Sequence, residues 1–215
     1  MRETSFMNGE YYHVYNRGVD KRLIFQAERD RLRFMKGIVA FNDVGRHATK
    51  SLQRISPVVP SKTPYVEVVA YTLLPNHYHF LLRQVADRGV PEFMRRVGTG
   101  FTKYFNLRYQ RNGRLFQSPF QAKHVMDDGY LLHLSRYIHL NVLDLSFPEW
   151  RDAGIQDWPA AIRSMRGYLW SSAKDYLEGT KRFYIRPDSI LEQFKLPDAY
   201  PRFLKDWVQH PVLDP

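Results

Sequence analysis

The sequence predicts an α+β fold in which helices back an antiparallel sheet. Three observations carry this expectation. Short segments are rich in aromatic and β-branched residues, longer ones place apolar residues at helical spacing, and the two kinds alternate in a definite order. Tyr11, Tyr12, Val14 and Tyr15 make residues 10–17 a strand that stops at Gly18. Leu32, Met35, Ile38 and Val39 recur among charges as on one helix face, over 27–43. Residues 44–64 hold Gly45, Pro57, Pro60 and Pro64 among Ser, Thr and Lys, the composition of a long exposed loop. A valine-rich strand spans 65–74, Pro75-Asn76 marks a turn, and a third strand spans 77–84. Too little chain joins these two for a crossover, so they pair antiparallel.

Pro91 opens the next helix as an N1 residue, with Phe93, Val97, Phe101, Tyr104 and Phe105 as its buried stripe. Asn112-Gly113 breaks it, and 114–125 is an extended segment interrupted by Pro119. Asp127 and Asp128 cap a helix over 129–145. Beyond it lie a less regular region with Trp158-Pro159 and Trp170-Ser171-Ser172, and a tail with a helix over 199–209. The order is βαββαβ followed by a helix, the plan of a ferredoxin-like sandwich: an antiparallel sheet with helices on one face, plus a helical C-terminal appendage. The expected division is 1–180 as the main domain and 181–215 as the appendage. In this plan the third strand is central.

Thirty-two Lys and Arg against 22 Asp and Glu leave a net charge of +10, which argues for a polyanionic partner. Tyr104, Phe105, Tyr109 and Phe116 lie close in sequence to Lys103, Arg108, Arg111 and Arg114. Rings that stack on bases beside cations that hold phosphates suit single-stranded nucleic acid. The chain has no cysteine, which excludes disulfides and thiolate metal sites, so a metal here would take His, carboxylate, amide oxygen or water. No apolar run has the length of a membrane span, and the first residues lack the apolar core of a signal peptide, so a cytoplasmic protein is expected.

Leu74-Pro75-Asn76-His77-Tyr78-His79-Phe80-Leu81-Leu82 is the segment richest in chemistry. Side chains alternate along a strand, so His77 and His79 share a face and offer half a site for a divalent ion. On the later helix Tyr137 and Asn141 are four residues apart and therefore neighbours. Packed over the histidine strand, they would set a phenol nucleophile beside two nitrogen ligands and one oxygen ligand, a combination suited to cutting a phosphodiester. Spacing alone leaves the ordinary alternatives open: a His-x-His strand without metal, a core tyrosine, and an amide at a helix end. Tyr130, His124, His133 and His139 read as packing residues.

From Tyr11 to about Gly179 the chain resembles the HUH single-tyrosine transposases, in particular the REP-associated branch. The resemblance rests on Tyr12-His13-Val14-Tyr15-Asn16-Arg17-Gly18, Leu74-Pro75-Asn76-His77-Tyr78-His79, Phe105-Asn106 with Gly113-Arg114-Leu115-Phe116-Gln117, Tyr137-Ile138-His139-Leu140-Asn141, and Trp170-Ser171-Ser172 before Tyr176. It implies a ferredoxin-like domain binding Mg2+ or Mn2+ through His77, His79 and Asn141. Its nucleophile would be Tyr137, acting on single-stranded DNA that carries imperfect hairpins and retaining a 5′-phosphotyrosine. The basic residues expected along the DNA are Arg17, Arg95, Arg96, Lys103, Arg108, Arg111, Arg114 and Lys123. Two departures stand out: Val142-Leu143-Asp144 where that family has a proline and a basic residue, and Ser118-Pro119-Phe120 where an Arg-Phe pair is usual. A non-catalytic hairpin-DNA binder is the second reading. An RNA-binding protein of similar sheet plan is the third, disfavoured because histidines hold the place of its exposed aromatics. Both a monomer and a homodimer fit the resemblance.

Overall fold

Four strands form one antiparallel sheet in the order β2-β3-β1-β4. They are β1 (Tyr11–Arg17), β2 (Val66–Leu74), β3 (His77–Gln84) and β4 (Gln121–Val125). The computed structural model describes residues 5–45, 61–180, 182–196 and 198–209. Most of the expected 44–64 loop therefore lies outside the described residues.

Strand alternation divides the core in two. Tyr12, Val14, Tyr78, Phe80 and Leu82 point to one face, where α1 (Glu28–Phe41) and α2 (Gly89–Arg108) cover them with Phe34, Ile38, Phe93, Val97 and Phe101. These are the two helices of the ferredoxin-like unit, on one face as its plan requires. The opposite face carries Leu81 and Val125 and is covered by α3 (Asp128–Leu140), through Leu131, Leu134 and Ile138. A register shift between Val68 and Ala70 bends β2. It lets the consecutive residues Val69 and Ala70 both join the α3-side core, while Val68 and Tyr71 join the other.

Asp30 ties α1 to α2. Its carboxylate is fully buried and accepts from the backbone N–H groups of Gln26 and Ala27, both at 2.9 Å, capping α1. It also accepts from the hydroxyls of Tyr104 at 2.9 Å and Tyr109 at 2.7 Å.

The chain after α3 is not a loose extension. A 3-10 turn (Asn141–Leu145) leads to the short helices α4 (Trp150–Ala153), α5 (Trp158–Gly167), α6 (Ala173–Glu178), α7 (Asp188–Leu191) and α8 (Ala199–Gln209). Ser171 bridges Thr72 and Ile185 bridges Val68, so this chain covers the outer edge of β2, which otherwise presents unpaired backbone groups. Ile185 enters the first core, and Tyr200, Leu204 and Val208 enter the second. No helix among the described residues is long and apolar enough to cross a membrane.

Candidate active site

The register of β1 and β3 sets Tyr15 opposite His79, and that of β2 and β3 sets Thr72 opposite His79. Thr72, His79 and Tyr15 thus form a row across the α3 side of the sheet, with His77 and His13 above and below. Thr72 fixes α3 to this row by donating its hydroxyl to the carbonyl oxygen of Ile138 at 2.7 Å. The neighbouring residue Tyr137 is thereby set with its ring edge-on to His79, centroids 5.5 Å apart, and to His13 at 6.0 Å. Tyr137 is half-buried.

A cleft of about 730 Å³ opens at this point. It brings together His77, His79, Tyr137, Asn141 and Arg17, all expected site residues, with Tyr15, Asp144 and Arg151. The rings of His77 and His79 stand nearly perpendicular with centroids 5.2 Å apart, on one side of the sheet. Each uses Nδ1 in a local bond, His77 to Oδ1 of Asn76 at 2.6 Å and His79 to Nε2 of His13 at 2.9 Å. Holding Nδ1 of a metal-ligating histidine with a neighbouring acceptor fixes the ring and leaves Nε2 for the ion. Asn141 sits at the C-cap of α3 and donates Nδ2 to the Tyr137 carbonyl at 2.8 Å, which leaves Oδ1 as its acceptor. That oxygen accepts from Arg151 at 2.8 Å. Two imidazole nitrogens and an amide oxygen are donor types a divalent ion accepts, and the Arg151 bond to that oxygen would have to share it with the ion or give way. Among the described residues no group of three or more His, Cys, Asp or Glu forms an alternative metal cluster.

Burial keeps these imidazoles neutral, the form that binds a metal. His77 is lowered to about 4, first by burial and then by the charge of Arg17. His79 is lowered well below the usual histidine value by burial, then by His13 and His77. His13 is lowered to about 3 by burial, then by Lys123.

His139 has a structural place. It is fully buried, with Nδ1 2.7 Å from the Tyr200 hydroxyl and Nε2 2.8 Å from the Ser172 hydroxyl, and Ser172 Oγ accepts from Tyr71 N at 2.8 Å. The Trp170-Ser171-Ser172 segment therefore couples the edge of β2 to α3 and, through Tyr200, to the tail. Burial lowers His139 to about 3, whereas a histidine in the unfolded chain titrates near 6.5. Below pH 6.5 the unfolded state binds the extra proton, so the His139 contribution is whole above 6.5 and drains toward pH 3, by about 1.4 kcal/mol per pH unit. The melting temperature is expected to drop from pH 6.5 to 5, with a shallower drop in His139→Gln. Parallel profiles for the two proteins would show that this ring is not the group being titrated.

The other expected DNA contacts separate into groups. Lys123 lines a smaller cleft of about 240 Å³ with His13, Tyr15, Tyr130, His133 and Tyr137. Tyr130 also packs against the second core and His133 stands edge-on to Trp207 at 4.6 Å, in keeping with the packing roles expected for them. Arg95, Lys103 and Arg114 line a separate groove beside α2. Arg96 stacks over Tyr65 at 4.8 Å, Arg108 stands 3.7 Å from Asp30, and Arg111 bonds Asn106 at 2.8 Å, all contacts within the protein. His13, Tyr15 and Arg151 are the residues the sequence reading missed. The alternation of His13 and Tyr15 in β1 was a usable signal, whereas nothing local marks Arg151.

The chain matches no protein-family model and no curated protein. Among solved structures it is similar to a REP-associated tyrosine transposase bound to a REP hairpin, with a TM-score of 0.51 and 13% identity over 88% of this chain and 92% of that one. At that identity the likeness is one of fold: both chains build the same kind of sheet-and-helix frame over nearly their whole lengths.

Proposed function

We propose that this protein is a metal-dependent single-strand DNA endonuclease and strand transferase that forms a 5′-phosphotyrosine on Tyr137 at hairpin-associated sites. The observation that carries the reading is the seat of Tyr137: half-buried, edge-on to His79, in one cleft with His77 and Asn141. The structural neighbour, a hairpin-bound tyrosine transposase, supports it at the level of fold. His77, His79 and Asn141 would hold Mg2+ or Mn2+, which when bound would withdraw charge from a nonbridging phosphate oxygen.

The chain's own residues do the rest. Arg17 brings positive charge to the cleft where a phosphate would lie, beside Arg151, which pairs there with Asp144 at 3.2 Å. The Tyr137 oxygen attacks phosphorus and the bond from phosphorus to the 3′ oxygen breaks. The proton lost by the phenol is balanced by one gained by the departing 3′ oxygen, leaving a free 3′-hydroxyl and a DNA 5′ end esterified to Tyr137. A phosphodiester is exchanged for a phosphodiester, so a second 3′-hydroxyl reverses the step without ATP. Neutral His13 and His79 line the Tyr137 side of the site without adding charge.

The test is an adduct assay with manganese and a labelled hairpin oligonucleotide carrying single-stranded flanks. The expected product survives denaturation, depends on the metal, and maps by peptide mass spectrometry to Tyr137. A protein that only holds hairpin DNA would bind the same oligonucleotide and leave no adduct.

A further inference from the structure

The groove beside α2 has no part in the chemistry above. It measures about 660 Å³, within the range of pockets that enclose small ligands, and its lining is mainly apolar. The half-buried Phe120 lies along it over Phe116, which belongs to the first core, and Lys103 and Arg114 are its exposed cations. Arg95 lines it too but pairs with Glu92 at 2.8 Å.

One wall is shared with the active-site cleft. Ser118 borders both spaces. Its segment is held by Asn16, a buried amide that donates to the carbonyls of Ser118 at 2.8 Å and Pro119 at 3.0 Å. Backbone bonds from Gln117 to Arg17 and from Val19 to Leu115, both at 3.0 Å, tie the same segment to the end of β1. The groove is therefore preformed beside the cleft.

A glycine gives the sharpest clue. Gly98 and Gly100 both lie in the interior of α2, where glycine costs stability relative to alanine. Gly100 has a packing reason, since a Cβ there would meet Phe41 at 2.7 Å. At Gly98 a Cβ would meet nothing within 4 Å, yet the residue lines the groove. A side chain at this position would therefore enter the groove and not the core.

We infer that this groove takes an unpaired base of single-stranded DNA flanking the cleavage site, with the half-buried ring of Phe120 as its apolar wall and Lys103 and Arg114 on the adjoining phosphates. The chemistry fits one occupant: an apolar slot accepts the flat base, and rim cations accept the backbone on either side of it. A peptide of net negative charge would meet the same cations but has no planar group repeating between its charges. The inference rests on the proposed DNA cleavage, because the shared wall at Ser118 is what places the groove along the same strand.

The test measures equilibrium binding, without metal, of a short oligothymidylate and of an abasic strand of equal length. Gly98→Leu is expected to weaken oligothymidylate binding about tenfold, the worth of one stacked base, and to leave abasic-strand binding unchanged. Its melting temperature should equal or exceed that of the parent, since leucine favours the helix and meets open space. Lys103→Glu is expected to weaken both strands and to flatten the salt dependence of each. Unchanged oligothymidylate affinity in Gly98→Leu, or equal loss on both strands, overturns the groove assignment. In that case an adduct still forming on Tyr137 would leave the cleavage reading standing; a parent protein that binds oligothymidylate but forms no adduct would sink the cleavage reading alone.

Discussion

Tyr137→Phe is expected to bind a hairpin oligonucleotide within about twofold of the parent and to form no adduct, a rate loss of at least about 10⁴-fold. The substitution is narrow. Phenylalanine keeps the ring that stands edge-on to His79 and His13, and Thr72 still fixes the adjacent Ile138 carbonyl, so α3 stays in register. Only the attacking oxygen is lost. His77→Ala is the companion measurement. Its ring is one of the two imidazoles of the proposed metal site, and the expected result is stopped cleavage with binding kept, because in the proposed function the phosphate contacts would come mainly from the cations around the clefts. An adduct of undiminished yield in Tyr137→Phe would move the nucleophile to Tyr15 or Tyr130, which border the same clefts and would then be the residues to map. A large fall in affinity in His77→Ala would make that histidine a DNA contact.

The pattern of the chain carried the fold a long way. Period-two alternation in β1 and β3 is strong enough to orient every side chain, including the shared face of His77 and His79. Differences arise where a distant contact overrides a local signal. Pro91 reads as a first helical residue, yet α2 starts at Gly89, after Arg88 in a left-handed conformation with φ of 54°. Gly89 packs so close to the residue that precedes β2 that a Cβ would lie 2.2 Å from the Tyr65 carbonyl oxygen, and no window of sequence around Pro91 contains that neighbour. Likewise α3 ends at Leu140 rather than running to 145, because Asn141 turns its amide back to the Tyr137 carbonyl and the chain tightens into a 3-10 turn. That His77, His79, Tyr137 and Asn141 would come together was legible in the strand and helix motifs, and the structure places them along one cleft. The supporting residues were not legible: His13 reaches His79 only through strand register, and Arg151 reaches Asn141 only through the turn that follows α3.

Arg182→Ala is expected to cost about 3–5 kcal/mol, a large share of the roughly 5–15 kcal/mol that holds a domain folded. The Arg182 guanidinium pairs with the carboxylate of Asp175, which is essentially fully buried, and donates to the Tyr71 hydroxyl and the Ser171 carbonyl, both at 2.6 Å. Burial works against its charge, but the Asp175 carboxylate together with the Tyr71 and Tyr184 hydroxyls more than offsets this and raises its pKa. Alanine would leave the buried Asp175 charge with only two neutral donors, the backbone N–H of residue 182 and the Thr180 hydroxyl, and would take the guanidinium from Tyr71 and the Ser171 carbonyl, so the melting temperature should fall by about 10 °C or more. Pairing Arg182→Met with Asp175→Asn removes both charges together and is expected to recover at least half of the loss, since an unpaired buried charge is worse than none. A single variant melting with the parent would show that the pair is not what fastens this segment. The position of the clasp gives the result wider meaning. Arg182 grips Ser171, the next residue Ser172 contacts His139 on α3, and His139 contacts Tyr200 on α8, so one polar chain runs from the tail to the helix that carries Tyr137. Removal of residues 181–215 would strip away Arg182, Ile185, Tyr200 and Leu204 at once, opening both cores. The shortened chain should therefore lose cooperative unfolding as well as adduct formation, a result that would place the tail among the parts that hold the proposed nucleophile rather than among detachable regulators.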